Sequence, residues 1–361
     1  MKIDIFAHIC TPRFIDAFTK KGVKWEKISG TGVPTGGPAL WDMDKRLEVM
    51  DRYEDYVQLL VPSNEVSEVC YGPKDTPELA RIFNDEMAEI LAKYPHRFVG
   101  AVATLPFNNV DAALEEIDRT INELGFKGIL LHTPIFDHPE GRSPELGPDF
   151  ENMKAVDLPE FEPIFECMAK HKKPIWLHPV GYGATAVYSG EKRGRYQIAH
   201  ILGWPVESAL AMSRIVCSGI LAKFPDLQII THHCGGGIIP ALEGRIDFDY
   251  DKYRWIGTLK WDKPGDVDPF RDRRPIDCFR SFFADTALYG GASGLECGHS
   301  FFGAERMVFG TDYPFDAVNG DRFIEKTIDA VHRMKISDGD KELIFEGNAR
   351  RILHLDTGTT G

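Results

Sequence analysis

Residues 3–12 read IDIFAHICTP, and this stretch decides the fold. Alternation of this kind marks a strand, with Ile3 and Ile5 expected on one side and Asp4, Phe6 and His8 on the other. The run ends in a polar residue, His8. The same arrangement recurs along the chain. Apolar runs follow at residues 56–63 (YVQLLVPS), 98–106 (FVGAVATLP), 128–134 (GILLHTP), 174–180 (PIWLHPV), 227–233 (LQIITHH), 281–287 (SFFADTA) and 306–314 (RMVFGTDYP). Helical patterns separate them, among them residues 76–94, 110–124, 205–224 and 321–334. Thr76 and Pro77 are expected to open the first of these as N-cap and first turn, and Gly125 to close the second. Eight nearly continuous apolar strands alternating with helices imply a parallel sheet covered by helices on its outside. The expected fold is therefore α/β, a (β/α)8 barrel distorted by loop insertions at its C-terminal face.

Two stretches interrupt the alternation. Residues 20–41, rich in Gly and Pro, are expected to form a long loop between the first strand and the first helix, and residues 135–160 another after the fourth strand. The closing LDTGTTG reads as a frayed tail, and residues 1–361 as a single domain.

Charge narrows the partners. With a formal net charge of -13 the chain carries no global positive field for nucleic acid or an anionic membrane, so a small-molecule or protein partner is favoured. No apolar run approaches the ~20 residues that span a bilayer. Seven cysteines without a CxxC pair read as free thiols. The expectation is a soluble cytoplasmic protein, a homodimer by the general frequency of that state.

Barrels of this kind place their chemistry at the C-terminal ends of the strands. There the chain delivers His8, His132, His178, the pair His232 and His233, Asp285 and Asp312. One buried histidine is more often a packing residue than a ligand, and Asp285 and Asp312 each have an ordinary use as turn residues. Convergence of several strands on one end is what points to a site. Imidazole and carboxylate suit a divalent transition metal, zinc above all with manganese as the other choice, and His8, His178 and Asp312 are the expected three ligands. His232 and His233 are expected on opposite faces if both lie within the strand.

These runs, together with LQIITHHCGGGIIPALEGRI, FFADTALYGG and FEGNARRIL, resemble the amidohydrolase superfamily. Within it they resemble the branch of aminocarboxymuconate semialdehyde decarboxylase and γ-resorcylate decarboxylase. The resemblance implies a barrel with one divalent metal held by His8, His178 and Asp312, and it maps the sixth-strand histidine best to His233, with His232 second. The sequence departs from that pattern at Phe6, where the family commonly carries His or Glu, so a metal held by fewer protein groups is expected. Residues 20–41 also contain only lysines as cations, so no arginine there matches the family's anchor for substrate carboxylates.

The implied reaction is non-oxidative decarboxylation of an aromatic or unsaturated carboxylic acid. His233 is the expected proton donor, and Phe6, His132, Trp204 and Asp285 the expected pocket residues. The alternative is a hydrolase or hydratase in which metal-bound water attacks and Asp312 takes its proton. A third reading is a barrel without metal that only binds a ligand.

Overall fold

The computed structural model describes residues 1–23, 37–63, 67–141, 151–180, 195–262 and 265–355. Eight parallel strands form the barrel: β1 (Lys2–Ile9), β2 (Tyr56–Pro62), β3 (Phe98–Ala103), β4 (Gly128–Thr133), β7 (Ile175–Pro179), β8 (Ile229–Thr231), β9 (Phe283–Asp285) and β10 (Met307–Val308). A two-stranded antiparallel ribbon, β5 (Ile135–Phe136) with β6 (Met153–Lys154), branches off after β4. The chain after β10 returns to β1, where Ile5 N donates to Phe309 O (3.0 Å), Asp312 N to Phe6 O (3.0 Å) and His8 N to Tyr313 O (2.7 Å).

Period 2 explains the layering. Ile3, Ile5, Phe6, Leu59, Val61, Val102, Leu130, Trp176, Ile230, Phe283 and Val308 fill the barrel, while the residues between them pack outward against the helices. One departure from alternation matters. The β1–β2 register shifts between Asp4 and Ala7, so β1 carries one residue more than its partner there. This bulge turns Ile5 and Phe6 both inward. Phe6 and His8 therefore do share a face, but Ile3 and Ile5 are on it too, and Asp4 is the residue that points the other way. The bulge is clipped by Asp4 itself, whose Oδ1 accepts from Phe6 N at 3.0 Å.

Other expectations shift locally. A helix, Pro12–Lys20, follows β1 directly, so the Gly/Pro-rich stretch comes after the first helix rather than before it. Residues 24–36 of that stretch and 142–150 of the second lie outside the described residues, and β5 with β6 shows that the second stretch is not wholly loop. Thr76 is the first helical residue of Thr76–Lys93 and Asp75 its N-cap; the Thr76 hydroxyl donates instead to Asn108. The pattern at 205–224 divides into Trp204–Cys217 and Ile220–Lys223. Gly219 makes the break at φ 81°, where a Cβ would meet Val267 O at 2.6 Å.

A ring of unpartnered ligand atoms at the strand ends

The polar residues sit where they do because of what precedes them. Two positions before His8, His132, His178, His232 and Asp285 stand Phe6, Leu130, Trp176, Ile230 and Phe283, all inside the barrel. One step of period 2 further along, each strand puts its next inward side chain at the mouth. Asp312 lies beyond β10 with a left-handed backbone (φ 64°), two residues after Gly310, where a Cβ would lie 3.2 Å from both the Asp285 and the Phe6 Cβ atoms. Only glycine leaves room there.

His8, His178, His232 and Asp312 are buried and each offers a ligand atom, all within 4.8 Å of one another. Their tautomers follow from their backs. A carbonyl oxygen only accepts, so His8 Nδ1 donates to Pro62 O (2.9 Å) and His178 Nδ1 to Pro179 O (2.7 Å). Each Nε2 is then a lone pair facing inward. His8 Nε2 lies 3.2 Å from Asp312 Oδ1 and His232 Nε2 lies 3.3 Å from the same oxygen. None of these atoms, nor His178 Nε2, has a hydrogen-bond partner among the described residues. The inward lone pairs of His8 and His178 lie within 4.8 Å of an Asp312 carboxylate oxygen, an arrangement that a cation between them would satisfy.

Electrostatics agree. Burial depresses His232, yet Asp285 and Asp312 outweigh it and lift the imidazole to about 9. Burial would raise the Asp312 carboxyl, but His232, His233 and His8 reverse this and hold it well below the usual carboxylate range. His178 falls well below its ordinary value through burial and the neighbouring imidazoles, and His132 falls to about 3 through burial and His8. The site is a divalent-metal site in its donor set and its field.

The other expected residues divide. Phe6 is fully buried and lies under the ring, stacked on His232 with centroids 4.0 Å apart. Trp204 borders His178 and His233, with centroids 5.7 and 6.2 Å away. His132 adjoins His178 at 6.0 Å, its Nε2 unpartnered. Asp285 is not a pocket wall: it lies fully buried behind His232, accepting from His232 Nδ1 with one oxygen and from Cys234 N (2.9 Å) and Ala287 N (3.2 Å) with the other. His232 and His233 do not diverge, because β8 ends at Thr231 and His233 has a left-handed backbone (φ 54°). Both rings reach Asp312, His233 Nε2 lying 3.6 Å from Oδ2.

Sequence reasoning missed Tyr289. Its hydroxyl donates to Asp312 Oδ2 (2.6 Å) and lies 3.4 Å from His233 Nε2. It sits in the loop after β9, where no periodicity speaks; the only available signal was a phenol four residues beyond Asp285. It also missed Arg46, a fully buried guanidinium that donates to His8 O (2.7 Å), Ala7 O (3.2 Å) and Gln58 Oε1 (2.8 Å) and so fixes the end of β1.

Residues 3–355 match the family model described as amidohydrolase. The chain is 30% identical over 318 residues to the γ-resorcylate decarboxylase of Rhizobium sp., covering 87% of each chain. It is 26% identical over 316 residues to the 2-amino-3-carboxymuconate-6-semialdehyde decarboxylase of Dictyostelium discoideum, covering 88% of this chain and 77% of that protein. The crystal structure of a 2,6-dihydroxybenzoate decarboxylase in complex with 2,6-dihydroxybenzoate superposes with a TM-score of 0.71 at 27% identity, covering 98% of this chain and 99% of that one. The chain belongs to the amidohydrolase family, in the branch of the γ-resorcylate and aminocarboxymuconate semialdehyde decarboxylases.

Proposed function

We propose that this carboxy-lyase decarboxylates an aromatic acid bearing an oxygen substituent beside its carboxylate, the substrate chemistry of its dihydroxybenzoate-decarboxylating relatives. The supporting observation is the ring of unpartnered Nε2 and Oδ1 atoms on His8, His178, His232 and Asp312. His8, His178 and Asp312 would hold the metal, zinc in our assignment. When bound, the divalent ion supplies positive charge that neutralises the substrate carboxylate and its neighbouring oxygen.

The remaining work falls to the chain. Trp204 and the rings above Phe6 offer a flat apolar enclosure for an aromatic ring. Breaking the carbon–carbon bond leaves its electron pair on the ring carbon, and that carbon takes a proton as carbon dioxide departs. We assign the proton to His232 Nε2 rather than to His233. Asp285 fixes the His232 ring by accepting from its Nδ1 and, with Asp312, raises the imidazole against the burial that depresses it, whereas burial and the neighbouring His232 lower the His233 imidazole. Tyr289 ties up Asp312 Oδ2 and leaves Oδ1 facing the ring.

Residues 1–361 act as one domain in this reading. The oligomeric state in this reading is a homodimer; the helix Glu243–Trp255, which buries none of its residues and exposes Phe248 and Trp255, offers an apolar face for it. The seven free cysteines support a cytoplasmic setting; no helix among the described residues is long and apolar enough to cross a membrane.

The test is carbon dioxide release from a panel of hydroxybenzoates, with lactones and amides as the competing class, in variants whose metal content is measured. His232→Asn is expected to lower turnover on the order of 10²-fold with metal retained. Full turnover in His232→Asn together with loss in His233→Asn returns the proton to His233. Hydrolysis of a lactone or amide without any decarboxylation defeats the reading.

A further inference from the structure

A second group of metal-type donors lies in the helical layer, away from the barrel mouth. Cys167 and His171 are four residues apart on the helix Glu162–His171, so they share one face. The neighbouring helix Val110–Asn122 brings Asp118 to the same place. His171 Nε2 and Asp118 Oδ1 are 2.7 Å apart, and the Cys167 thiol lies within 4.8 Å of both ligand atoms. We propose that Cys167, His171 and Asp118 form a second, structural zinc site that staples these two helices together on the outside of the barrel.

The donor set carries the inference. Thiolate, imidazole and carboxylate are the ligand types zinc takes; with three of them the fourth tetrahedral position falls to water, an open coordination rather than the closed four-residue set usual for structural zinc. Ligand atoms around such a zinc stand about 3.3–3.6 Å apart, given metal–ligand bonds of about 2.0–2.3 Å. The His171–Asp118 pair, at 2.7 Å, is closer than that, so a zinc between them needs the two side chains to rotate apart. The site is open to solvent for loading: the Asp118 side chain is 64% exposed. The catalytic ring contains no cysteine, so its chemistry is separable from this one. Nothing in the staple depends on the reaction assigned above.

Cobalt(II) is the probe, because a thiolate bound to it gives a near-ultraviolet charge-transfer band that imidazole and carboxylate ligands lack. Enzyme already holding its catalytic metal is titrated with Co²⁺. The expected result is a band saturating at one equivalent, displaced by Zn²⁺, absent in Cys167→Ser and weakened in His171→Asn. Zinc is also expected to raise the Tm of the native enzyme and not that of Cys167→Ser, while both keep the same decarboxylation rate. No band, a band undiminished in Cys167→Ser, or an equal Tm response in both proteins overturns the proposal.

Discussion

Two buried aspartates on either side of one β-bulge behave in opposite ways. Asp4, outside the barrel wall, has every acceptor site used: Phe6 N (3.0 Å) and Thr311 N (3.1 Å) on Oδ1, the hydroxyls of Tyr56 and Thr311 (both 2.5 Å) on Oδ2. Tyr56 in turn accepts from Gln58 Nε2, and Gln58 accepts from Arg46, so the network closes on itself. Asp312, inside, keeps Oδ1 without a partner and has three imidazoles within 3.6 Å of its carboxylate. Burial leaves Asp4 with a raised pKa despite its four donors, whereas the imidazoles hold Asp312 far down. A saturated network of buried polar groups fixes a backbone; an unsaturated one of the same burial waits for a ligand.

That contrast breaks most sharply under the same substitution at both sites. Asp312→Asn removes the charge and one donor from the ring, and is expected to lower both metal content and decarboxylation, the latter on the order of 10³-fold, with the fold kept. Asp4→Asn strands two hydroxyls, and is expected to cost about 2–3 kcal/mol in urea unfolding while metal content persists. Dialysis followed by elemental analysis, run beside the unfolding curves, separates them. Equal metal loss in both variants collapses the distinction between the two networks.

A smaller effect is expected at Phe6, which lies between the two aspartates in the chain and forms the floor of the ring. Its phenyl stacks on His232 with ring centroids 4.0 Å apart. Phe6→His is expected to tighten metal binding about tenfold, near 1.4 kcal/mol, measured by competition with a chelator. Unchanged affinity makes Phe6 a packing residue alone, and the three-residue ligand set is then sufficient.

The same bulge marks how far the sequence could be read. The barrel was legible because each strand repeats one physical instruction, apolar inward side chains followed at the mouth by a polar one. His8, His132, His178, His232, Asp285 and Asp312 were found by that rule. The rule fails wherever the backbone leaves the regular strand. An extra residue in β1 moved Asp4 to the outer face. Left-handed residues, His233 at φ 54°, Tyr289 at φ 50° and Asp312 at φ 64°, then aim side chains in directions no period encodes. Asp285 was found but misread, since alternation tells which face a residue occupies and not that another imidazole stands in front of it. Arg46 was unreadable for a different reason: a fully buried guanidinium on a helix is justified by the carbonyls of His8 and Ala7 and by Gln58 Oε1, none of them on its own helix.

Glu68 stands between the two aspartates in character. It is only 4% exposed, one oxygen accepts from Phe107 N (2.8 Å), and no cation among the described residues pairs with it. Burial raises its carboxyl to about 7, against an ordinary 4.5, with backbone donors opposing only in part. The folded protein therefore binds this proton more tightly than the unfolded chain does. The stability tied to it is fully present below pH 4.5, declines as pH rises through the window up to about 7, and is constant above. Glu68→Gln keeps the acceptor for Phe107 and removes the titration. It is expected to be more stable than the native chain by at most about 3 kcal/mol at pH 8, shrinking toward zero near pH 4.5. Urea unfolding at both pH values measures it. An advantage of the same size at the two would mean that Glu68 carries no proton in the folded state at pH 4.5, and that its environment resembles the charged ring around Asp312 more than the apolar one its single donor suggests.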